Sequence, residues 1–361
     1  LFRSEEDAIM TAIRFTRAEE RIINRIQEDI PLAAEPFRLI ADELSIKESE
    51  LLETVARLKE KRIVRNISAI FNAHRLGYHS SLVAMSVDEG EVEGAVEIIN
   101  AHPGVSHNYL RDHRFNIWFT LAVDAATSLE ETAAVLARHC RATDHLILRN
   151  EKLYKIGFML RMGDDAPEDG EEDEAAGPNG AALAHDDGGY ALSGEERDAV
   201  LLLQTDLPIT PRPFDAIVST TKSSMSSERL VTIGEALKQK GIMRRYAAVL
   251  KHYNAGYGAN AMTAWKTEAG RGEDEVMQVF LSAKSISHLY RRTVHPGRWE
   301  HPLFAMIHAR SDGELESIIA TLEKKSGLSD YLVLKSLREF KKKRVTYFSP
   351  AFDEWKKENM G

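Results

Sequence analysis

The chain has 361 residues, of which 43% are hydrophobic, and this length and composition predict two to four compact units with sizeable cores. No stretch approaches the roughly 20 uninterrupted apolar residues that span a bilayer, and the opening residues lack the order of a secretory signal. Cys140 is the single cysteine, which excludes a disulfide framework and a cysteine-based metal site. We therefore expect a cytoplasmic protein.

The formal charge of −9 is concentrated in one segment. Residues 161–190 contain ten acidic residues and one arginine, among many Gly, Ala and Pro residues. Such a composition buries too little apolar surface to offset the entropy of ordering, which predicts an acidic disordered linker. The rest of the chain is near neutral. This argues against nucleic acid as the main partner, because phosphate binding normally needs a basic surplus.

Helical patterns open the chain. Isoleucines recur at helical spacing over 22–30, and a short helix is predicted over 37–44. Ser45 and Glu48 have the spacing of a capping box for a third helix. Followed by a strand, these helices predict a winged helix-turn-helix over residues 12–66.

Strand and helix patterns alternate in the next segment, residues 67–160. Their order is that of a ferredoxin-like βαββαβ sandwich. The predicted elements are a strand at 81–87, a helix near 91–100, a strand pair around 105–123, a helix near 128–139 and a strand region near 145–160.

The same order of features returns after the linker, and this duplication is the most informative internal property of the sequence. Pro36-Phe37 corresponds to Pro213-Phe214, and His107-x-Tyr109 corresponds to His288-x-Tyr290. We expect a second winged helix-turn-helix over 191–245 and a second sandwich over 246–349, with the wing strands at 63–71 and 242–252. The predicted fold class is therefore α+β, with two tandem copies of this pair of units.

The second helix of each helix-turn-helix is poorly suited to reading DNA. Base-reading positions favour Arg, Lys, Asn and Gln, whereas the stretch 47–53 holds three glutamates and one lysine. The equivalent stretch in the second copy, residues 222–229, is nearly neutral. Nucleic acid is therefore an improbable partner, although a residual contact through the second copy stays open.

Both copies carry a polar face on one strand. The period of two places His107, Tyr109, Arg111 and His113 on one side of the strand in the first copy. In the second copy the matching residues are His288, Tyr290 and Arg292, followed by His295 in the connection. A solvated strand face would give the same alternation in a single copy. The doubled pattern, and the ability of these groups to bind carboxylates and move protons, favour a functional site.

Further residues are candidates for substrate binding, either because they lie where the helical unit joins the sandwich or because they follow the polar strand. A surface role is an equal alternative for the basic ones, and a core role is an alternative for the aromatic ones. These candidates are Arg65, His74, Arg244, Arg245, Tyr246, His252, Arg291, Arg298, Trp118, Trp299 and His301, with Phe119 and Phe304 as further aromatic walls. No histidine spacing indicates a dedicated protein metal site.

The order of helical unit and sandwich, with Leu76-Gly77-Tyr78 after the wing, resembles the leucine-responsive (Lrp/AsnC-like) regulators. A more specific resemblance lies in RNISAIFNAHRLGYHSSLVAM, HNYLRDHRFNIWFTL, MRRYAAVLKHYNAGYGANAMTAW and SHLYRRTVHPGRWEHPLFAMIHAR. These passages are similar to the two subunits of siroheme decarboxylases, joined here in one chain. The resemblance covers nearly everything except the linker and the termini.

This resemblance implies a carboxy-lyase that removes two acetate carboxyls, at C12 and C18 of siroheme, to give 12,18-didecarboxysiroheme for heme or heme d1 synthesis. Siroheme brings its own iron, so no further cofactor is expected. The two copies would pack as a pseudo-heterodimer, with a homo-oligomer possible, and with one catalytic and one degenerate pocket as a hypothesis. The alternatives are a tetrapyrrole-sensing DNA-binding regulator and a carrier without chemistry.

Overall fold

The computed structural model describes residues 15–156, 190–250, 259–267 and 273–360. The predicted linker therefore lies almost entirely outside the described residues. In the first copy the elements are α1 (Arg17–Glu28), α2 (Pro36–Leu44), α3 (Glu48–Glu60), β1 (Val64–Phe71), β2 (Tyr78–Ser86), α4 (Val92–Ala101), β3 (Val105–Arg111), β4 (Ile117–Asp124), α5 (Leu129–His139), β5 (Asp144–Leu148) and β6 (Asn150–Ile156).

The second copy repeats this series with one long strand in place of β5 and β6, and adds one helix at its end. Its elements are α6 (Gly194–Leu203), α7 (Pro213–Thr221), α8 (Ser227–Gln239), β7 (Met243–Leu250), β8 (Ala259–Trp265), α9 (Glu273–Leu281), β9 (Ile286–Arg292), β10 (Leu303–Ala309), α10 (Asp312–Ser326), β11 (Tyr331–Lys342) and α11 (Ala351–Asn359). The predicted order of helices and strands is confirmed in both copies.

The first helix of each copy begins with a capping box. Thr16 pairs with Glu19 at the start of α1, and Ser193 pairs with Glu196 at the start of α6. The capping box predicted at Ser45 is wrong. Ser45 adopts a left-handed conformation (φ 57°) that ends α2, so its side chain does not cap α3. The tight turn of the helix-turn-helix requires that reversal.

The two helical units share one hydrophobic core. Ile23 and Ile26 of α1 belong to the same buried cluster as Leu203 of α6 and Leu237 of α8. The wing strands β1 and β7 pair with each other in antiparallel register, for example Ala69 with Tyr246. Each wing strand therefore joins the two copies, so the helical units form one body.

The two sandwiches share a single nine-stranded sheet in the order β5-β2-β4-β3-β11-β8-β10-β9-β6. Strand β6 of the first copy pairs with β9 of the second, and the second half of β11 pairs with β3 of the first. Only Arg149 separates β5 from β6 in the chain, so the two ends of this order are covalently continuous. The sheet therefore curves round and encloses an interior built from both copies.

Helices cover the outside of this sheet, and aromatic residues fill part of the inside. Helices α4 and α5 pack on the first copy's strands, and α9 and α10 pack on the second copy's strands. The inner cluster contains Trp118, Trp299 and Phe304. No helix in the described part of the chain is both long and apolar enough to cross a membrane.

The last helix, α11, lies beyond the boundary predicted for the second sandwich. It joins the two layers of the molecule, because Phe352 is buried in the helical core and Trp355 in the first sandwich core. Tyr78 connects the same layers, since its hydroxyl accepts a hydrogen bond from the backbone N–H of Phe348 at 2.7 Å. The helical body is therefore fixed against the sheet that carries the site.

Candidate active site

A cavity of about 720 Å³ lies on the inner face of the shared sheet, and its volume is within the range of small-ligand sites. Strands of both copies supply its walls. The lining residues are Leu82, His107, Tyr109, Arg111, Trp118, Phe119, Thr120, Asn260, Met262, Ser287, His288, Tyr290, Arg292, Phe304, Met306, His308, Ser336, Leu337, Arg338, Glu339 and Lys342.

Alternation along β3 brings three predicted residues of the first copy into this cavity. The rings of His107 and Tyr109 lie parallel with centroids 6.4 Å apart. The Arg111 guanidinium lies over the Tyr109 ring at 5.3 Å. Arg111 Nη1 also donates hydrogen bonds to the Leu334 carbonyl at 2.8 Å and to Ser336 Oγ at 3.0 Å. Strand β11 of the second copy therefore holds this guanidinium in place.

Strand β9 repeats the arrangement in the second copy. The rings of His288 and Tyr290 lie parallel at 6.1 Å, and the Arg292 guanidinium lies over the Tyr290 ring at 4.9 Å. Arg292 Nη1 donates to the Leu148 carbonyl of the first copy at 3.0 Å. The two three-residue sets are thus related by an approximate two-fold axis, and both line one cavity. This arrangement is a correction to the hypothesis of two separate pockets.

Burial dominates the electrostatics of the first set. Burial, with smaller contributions from the charges of Lys342 and Arg65, lowers the pKa of His107 to about 4. Burial raises the pKa of Tyr109 to about 12, so this phenol keeps its proton at neutral pH. An anionic ligand would reverse part of the effect on His107, because added negative charge favours the imidazolium.

The two arginines are buried cations that pair with no carboxylate in the described part of the chain. Burial lowers the pKa of both Arg111 and Arg292 to about 10. Neither one forms an ion pair with a carboxylate of the described residues, and the Nε atom of each has no hydrogen-bond partner there. Guanidinium groups in this state are matched to carboxylates that arrive with a ligand.

The structure separates His113 and His295 from the other six predicted catalytic residues. Strand β3 ends at Arg111, so His113 lies in the following turn, where its Nδ1 accepts the Phe115 N–H at 3.0 Å. His295 lies after the end of β9, with Nε2 2.9 Å from the Ile147 carbonyl. Neither side chain lines the cavity. The predicted strand face is therefore wrong for His113, whereas His295 lies in the connection as predicted but outside the cavity.

The predicted aromatic walls are divided between the cavity and the core behind it. Trp118, Phe119 and Phe304 line the cavity. Trp299 is buried behind them, stacked on Phe304 at 5.7 Å and edge-on to Trp118 at 5.3 Å. His301 lies away from the cavity, with Nε2 2.9 Å from Asp330 Oδ1.

Arg291 and Arg298 bind protein carboxylates instead of facing the cavity. Arg291 points to the opposite side of β9 from its neighbours and pairs with Glu151 at 3.4 Å. Arg298 pairs with Asp144. The direct substrate contacts predicted for these two residues are therefore misplaced.

Residues at the junction of the helical body and the sheet do not line the cavity either. Arg65 comes closest, since its Nη2 donates to the carbonyl of the lining residue Lys342 at 2.7 Å. His74 is exposed beside His79, and Arg244 is also exposed. The remaining members of this predicted group are Arg245, which is half-buried on β7, Tyr246, which is buried in the helical core, and His252, which lies outside the described residues.

Sequence reasoning missed His308 and Asn260, which line the second copy's half of the cavity. A signal was present, because His308 alternates with Phe304 and Met306 on β10. Among the described residues, no group of three or more His, Cys, Asp or Glu side chains could hold a metal ion.

Comparisons with known proteins agree with this architecture. A family profile described as an AsnC-like ligand binding domain matches residues 75–155 and 254–341, and one described as a siroheme decarboxylase NirDL-like HTH domain matches residues 19–65. A siroheme decarboxylase of Hydrogenobacter thermophilus is 39% identical over 343 residues, which cover 94% of this chain and 97% of that protein.

Two further relatives bear on the site and on the duplication. The crystal structure of the siroheme decarboxylase NirDL in complex with an iron-uroporphyrin III analogue has a TM-score of 0.75 at 34% identity, covering 95% of this chain and 99% of that chain. The siroheme decarboxylase alpha subunit of Desulfovibrio desulfuricans is 38% identical over 150 residues, which cover 41% of this chain and 85% of that subunit.

Proposed function

This chain belongs to the siroheme decarboxylase family, and from that membership we propose that its shared cavity binds siroheme and removes the two acetate carboxyls at C12 and C18. The product is 12,18-didecarboxysiroheme. The observation that carries the proposal is the pair of buried guanidinium groups, Arg111 and Arg292, which face one cavity without a carboxylate partner among the described residues. A polycarboxylate macrocycle supplies the missing negative charge.

Binding uses the two kinds of surface that the cavity presents. Trp118 and Phe304 offer flat apolar walls to the macrocycle, while Arg111 and Arg292 bind carboxylates on opposite sides of the approximate two-fold axis. Lys342 adds a further cation in the cavity wall. Because the guanidinium groups are held by strand carbonyls, they are oriented before the substrate arrives, and little entropy is lost in ordering them.

Decarboxylation requires charge stabilisation and one proton at each acetate. Loss of carbon dioxide leaves an electron pair on the methylene carbon, which the tetrapyrrole ring delocalises until a proton arrives. His107 and His288 are the cavity residues best suited to donate it, since the carboxylates of a bound substrate favour the protonated form of a buried imidazole. Tyr109 keeps its proton and acts as a hydrogen-bond donor.

We propose that no organic cofactor takes part, because the substrate ring itself accepts the electron pair and brings the iron. The fused chain would do the work of a two-subunit enzyme, with its two copies packed as a pseudo-heterodimer through the shared sheet and the paired wings. A cytoplasmic location, the choice between heme and heme d1 synthesis, and any further homo-oligomer stay predictions.

A DNA-binding role has less support. The predicted reading helix α3 carries Glu48, Glu50 and Glu53, and both wing strands are paired with each other. The regulator is therefore retained only as an outcome of the test below.

Anaerobic incubation with siroheme, followed by mass spectrometry, tests the proposal. Loss of two carboxyl groups by the wild-type protein, and a strong reduction in the His107→Ala/His288→Ala double variant, are expected. Recovery of intact siroheme would contradict the enzymatic proposal. If the same sample then shifted DNA in a gel, the regulator would replace it, and tight binding without chemistry or a DNA shift would indicate a carrier.

A further inference from the structure

The two halves of the cavity differ in what stands behind each histidine. A β-bulge in each copy puts a serine beside the histidine ring, at 2.9 Å for Ser106 Oγ and His107 Nδ1 and at 2.8 Å for Ser287 Oγ and His288 Nδ1. In the second copy the contacts continue. Ser287 Oγ lies 2.7 Å from His308 Nε2.

Asn260 lies at the far end of this series, with Oδ1 2.9 Å from His308 Nδ1. The first copy has no such continuation. On β4, Ala122 occupies the ladder position that corresponds to His308 on β10, and its cross-strand partner is Ser80, where the second copy has Asn260. The series of four polar side chains therefore exists in one half of the cavity only.

The chemistry of Asn260 fixes the direction of these hydrogen bonds. An amide oxygen can only accept, so His308 Nδ1 carries a proton. The other nitrogen, Nε2, then has two states. In the neutral ring it accepts from the Ser287 hydroxyl, and in the imidazolium it donates to the Ser287 oxygen. In that second state the Ser287 hydroxyl donates to His288 Nδ1, and His288 carries its proton on Nε2.

We propose that Asn260, His308 and Ser287 form a proton relay that replaces the proton donated by His288. This role rests on the proposed decarboxylase function. When the C–COO⁻ bond of an acetate breaks, carbon dioxide leaves and the methylene carbon takes the proton from His288 Nε2. The Ser287 hydroxyl proton moves to His288 Nδ1, and the His308 Nε2 proton moves to Ser287 Oγ. His308 becomes neutral and keeps its Nδ1 proton on Asn260.

The burial of the relay residues suits this role. Ser287 is 5% exposed, so the middle of the relay is shielded from solvent, whereas His308 is only partly buried and can take up the next proton from water. The reaction needs one proton for each carboxyl lost, and the substrate's carboxylates stabilise the imidazolium of His308 inside the cavity. In this scheme His308 and Asn260 are positioning residues, since they act on the substrate only through His288.

The relay is tested with four variants under single-turnover conditions with anaerobic siroheme, with product counted by mass spectrometry. Ser287→Ala and His308→Ala interrupt the relay and are expected to slow decarboxylation by about 100-fold, within the usual contribution of a positioned proton donor. Ser287→Thr keeps a hydroxyl and should recover most of the rate. Ser106→Ala in the first copy is the matched control, which removes a His–Ser contact but no relay.

Binding of iron(III) uroporphyrin III, followed by absorbance titration, shows whether each variant retains a formed cavity. Unchanged affinity with a reduced rate supports the relay. Losses that are equal for Ser287→Ala and Ser106→Ala, or a His308→Ala variant as fast as wild type, would overturn the relay while leaving the decarboxylase proposal intact. If a relay variant loses affinity, the rates of Asn260→Asp and Asn260→Leu are compared instead. Only the aspartate keeps a hydrogen-bond acceptor for His308. Equal decarboxylation rates for these two variants would exclude the relay. A wild-type protein that leaves siroheme intact would refute both proposals.

Discussion

Replacing the buried arginines should weaken ligand binding more than folding. Arg111 is 4% exposed, and its guanidinium has two hydrogen-bond acceptors but no carboxylate partner among the described residues. We expect Arg111→Met to fold and to bind iron(III) uroporphyrin III much less tightly than wild type. Arg292→Met should behave in the same way, because Arg292 occupies the equivalent position in the second copy.

The magnitude follows from two opposing effects on stability. The fall of the pKa of Arg111 from 12.5 to about 10 corresponds to a cost on the order of 3 kcal/mol for holding its charge in the folded state. Removing the side chain relieves this cost but loses two hydrogen bonds from a charged group, each of which contributes about 1.5 kcal/mol. The free energy of unfolding should therefore change by less than about 2 kcal/mol.

Binding has no such compensation. A charge-assisted contact to a carboxylate inside the cavity contributes about 2 kcal/mol, so each substitution should raise the dissociation constant by roughly 30-fold. Absorbance titration measures the affinity, and urea denaturation measures the stability.

Arg291→Met is the matched control on the same strand, because that guanidinium faces Glu151 on the other side of β9. Its affinity should stay within about two-fold of wild type, well below the change expected for a lost charged contact. Equal affinities for Arg291→Met, Arg292→Met and wild type would refute the assignment of the buried arginines to carboxylate binding. Complete unfolding of Arg111→Met would show that its role is structural.

Three further substitutions test local features of the fold. Gly104→Ala should lower the free energy of unfolding in urea by about 2 kcal/mol or more, because the added Cβ would lie 1.9 Å from the Ala122 carbonyl oxygen. Gly94→Ala is the control. Its added Cβ would meet no atom within 4 Å, so this variant should be as stable as wild type. Burial lowers the pKa of His102 to about 3, below the value of 6.5 in the unfolded chain. The neutral ring therefore contributes its full stabilisation above about pH 6.5, and the free energy of unfolding falls as the pH drops towards 3. His102→Asn should flatten the urea midpoints measured across that pH window. Tyr246→Phe should raise the free energy of unfolding by about 1 kcal/mol, because this buried hydroxyl has no hydrogen-bond partner among the described residues. Siroheme turnover should stay unchanged. Slower turnover would support the role in substrate binding that the sequence predicted for Tyr246.

The order of the strands could be predicted because its signal is local. Alternation along the polar strand of the second copy, the observed β9, correctly placed His288, Tyr290 and Arg292 on one face. The pairing of β6 with β9 and of β11 with β3 could not be predicted. Those pairings join residues from different copies, and no periodicity within a strand carries that information.

The errors in the predicted site arise where local patterns end. His113 continues the alternation of β3 in the sequence, but the strand stops at Arg111 and the turn directs His113 towards Trp299. Tyr246 has a polar group but also a large ring, and burial of that ring against Phe214 decided its place. His308 was missed for a different reason. Its alternation with Met306 could be seen in the sequence, but its contact with Ser287 on the neighbouring strand could not.

Duplication within one chain explains how a symmetric scaffold can act on an asymmetric substrate. Two identical halves would present the same groups on both sides of the cavity, whereas the acetates at C12 and C18 of siroheme do not occupy equivalent places on its ring. Here the arginines have stayed equivalent, at Arg111 and Arg292, and the side chains behind the histidines have diverged, with Ala122 on one side and His308 on the other. Carboxylate binding therefore keeps its approximate two-fold symmetry, while the proposed proton relay behind the histidine belongs to one half only. It follows that exchanging His308 for the alanine of the first copy should impair chemistry and spare binding, a separation that a fully symmetric cavity would not show.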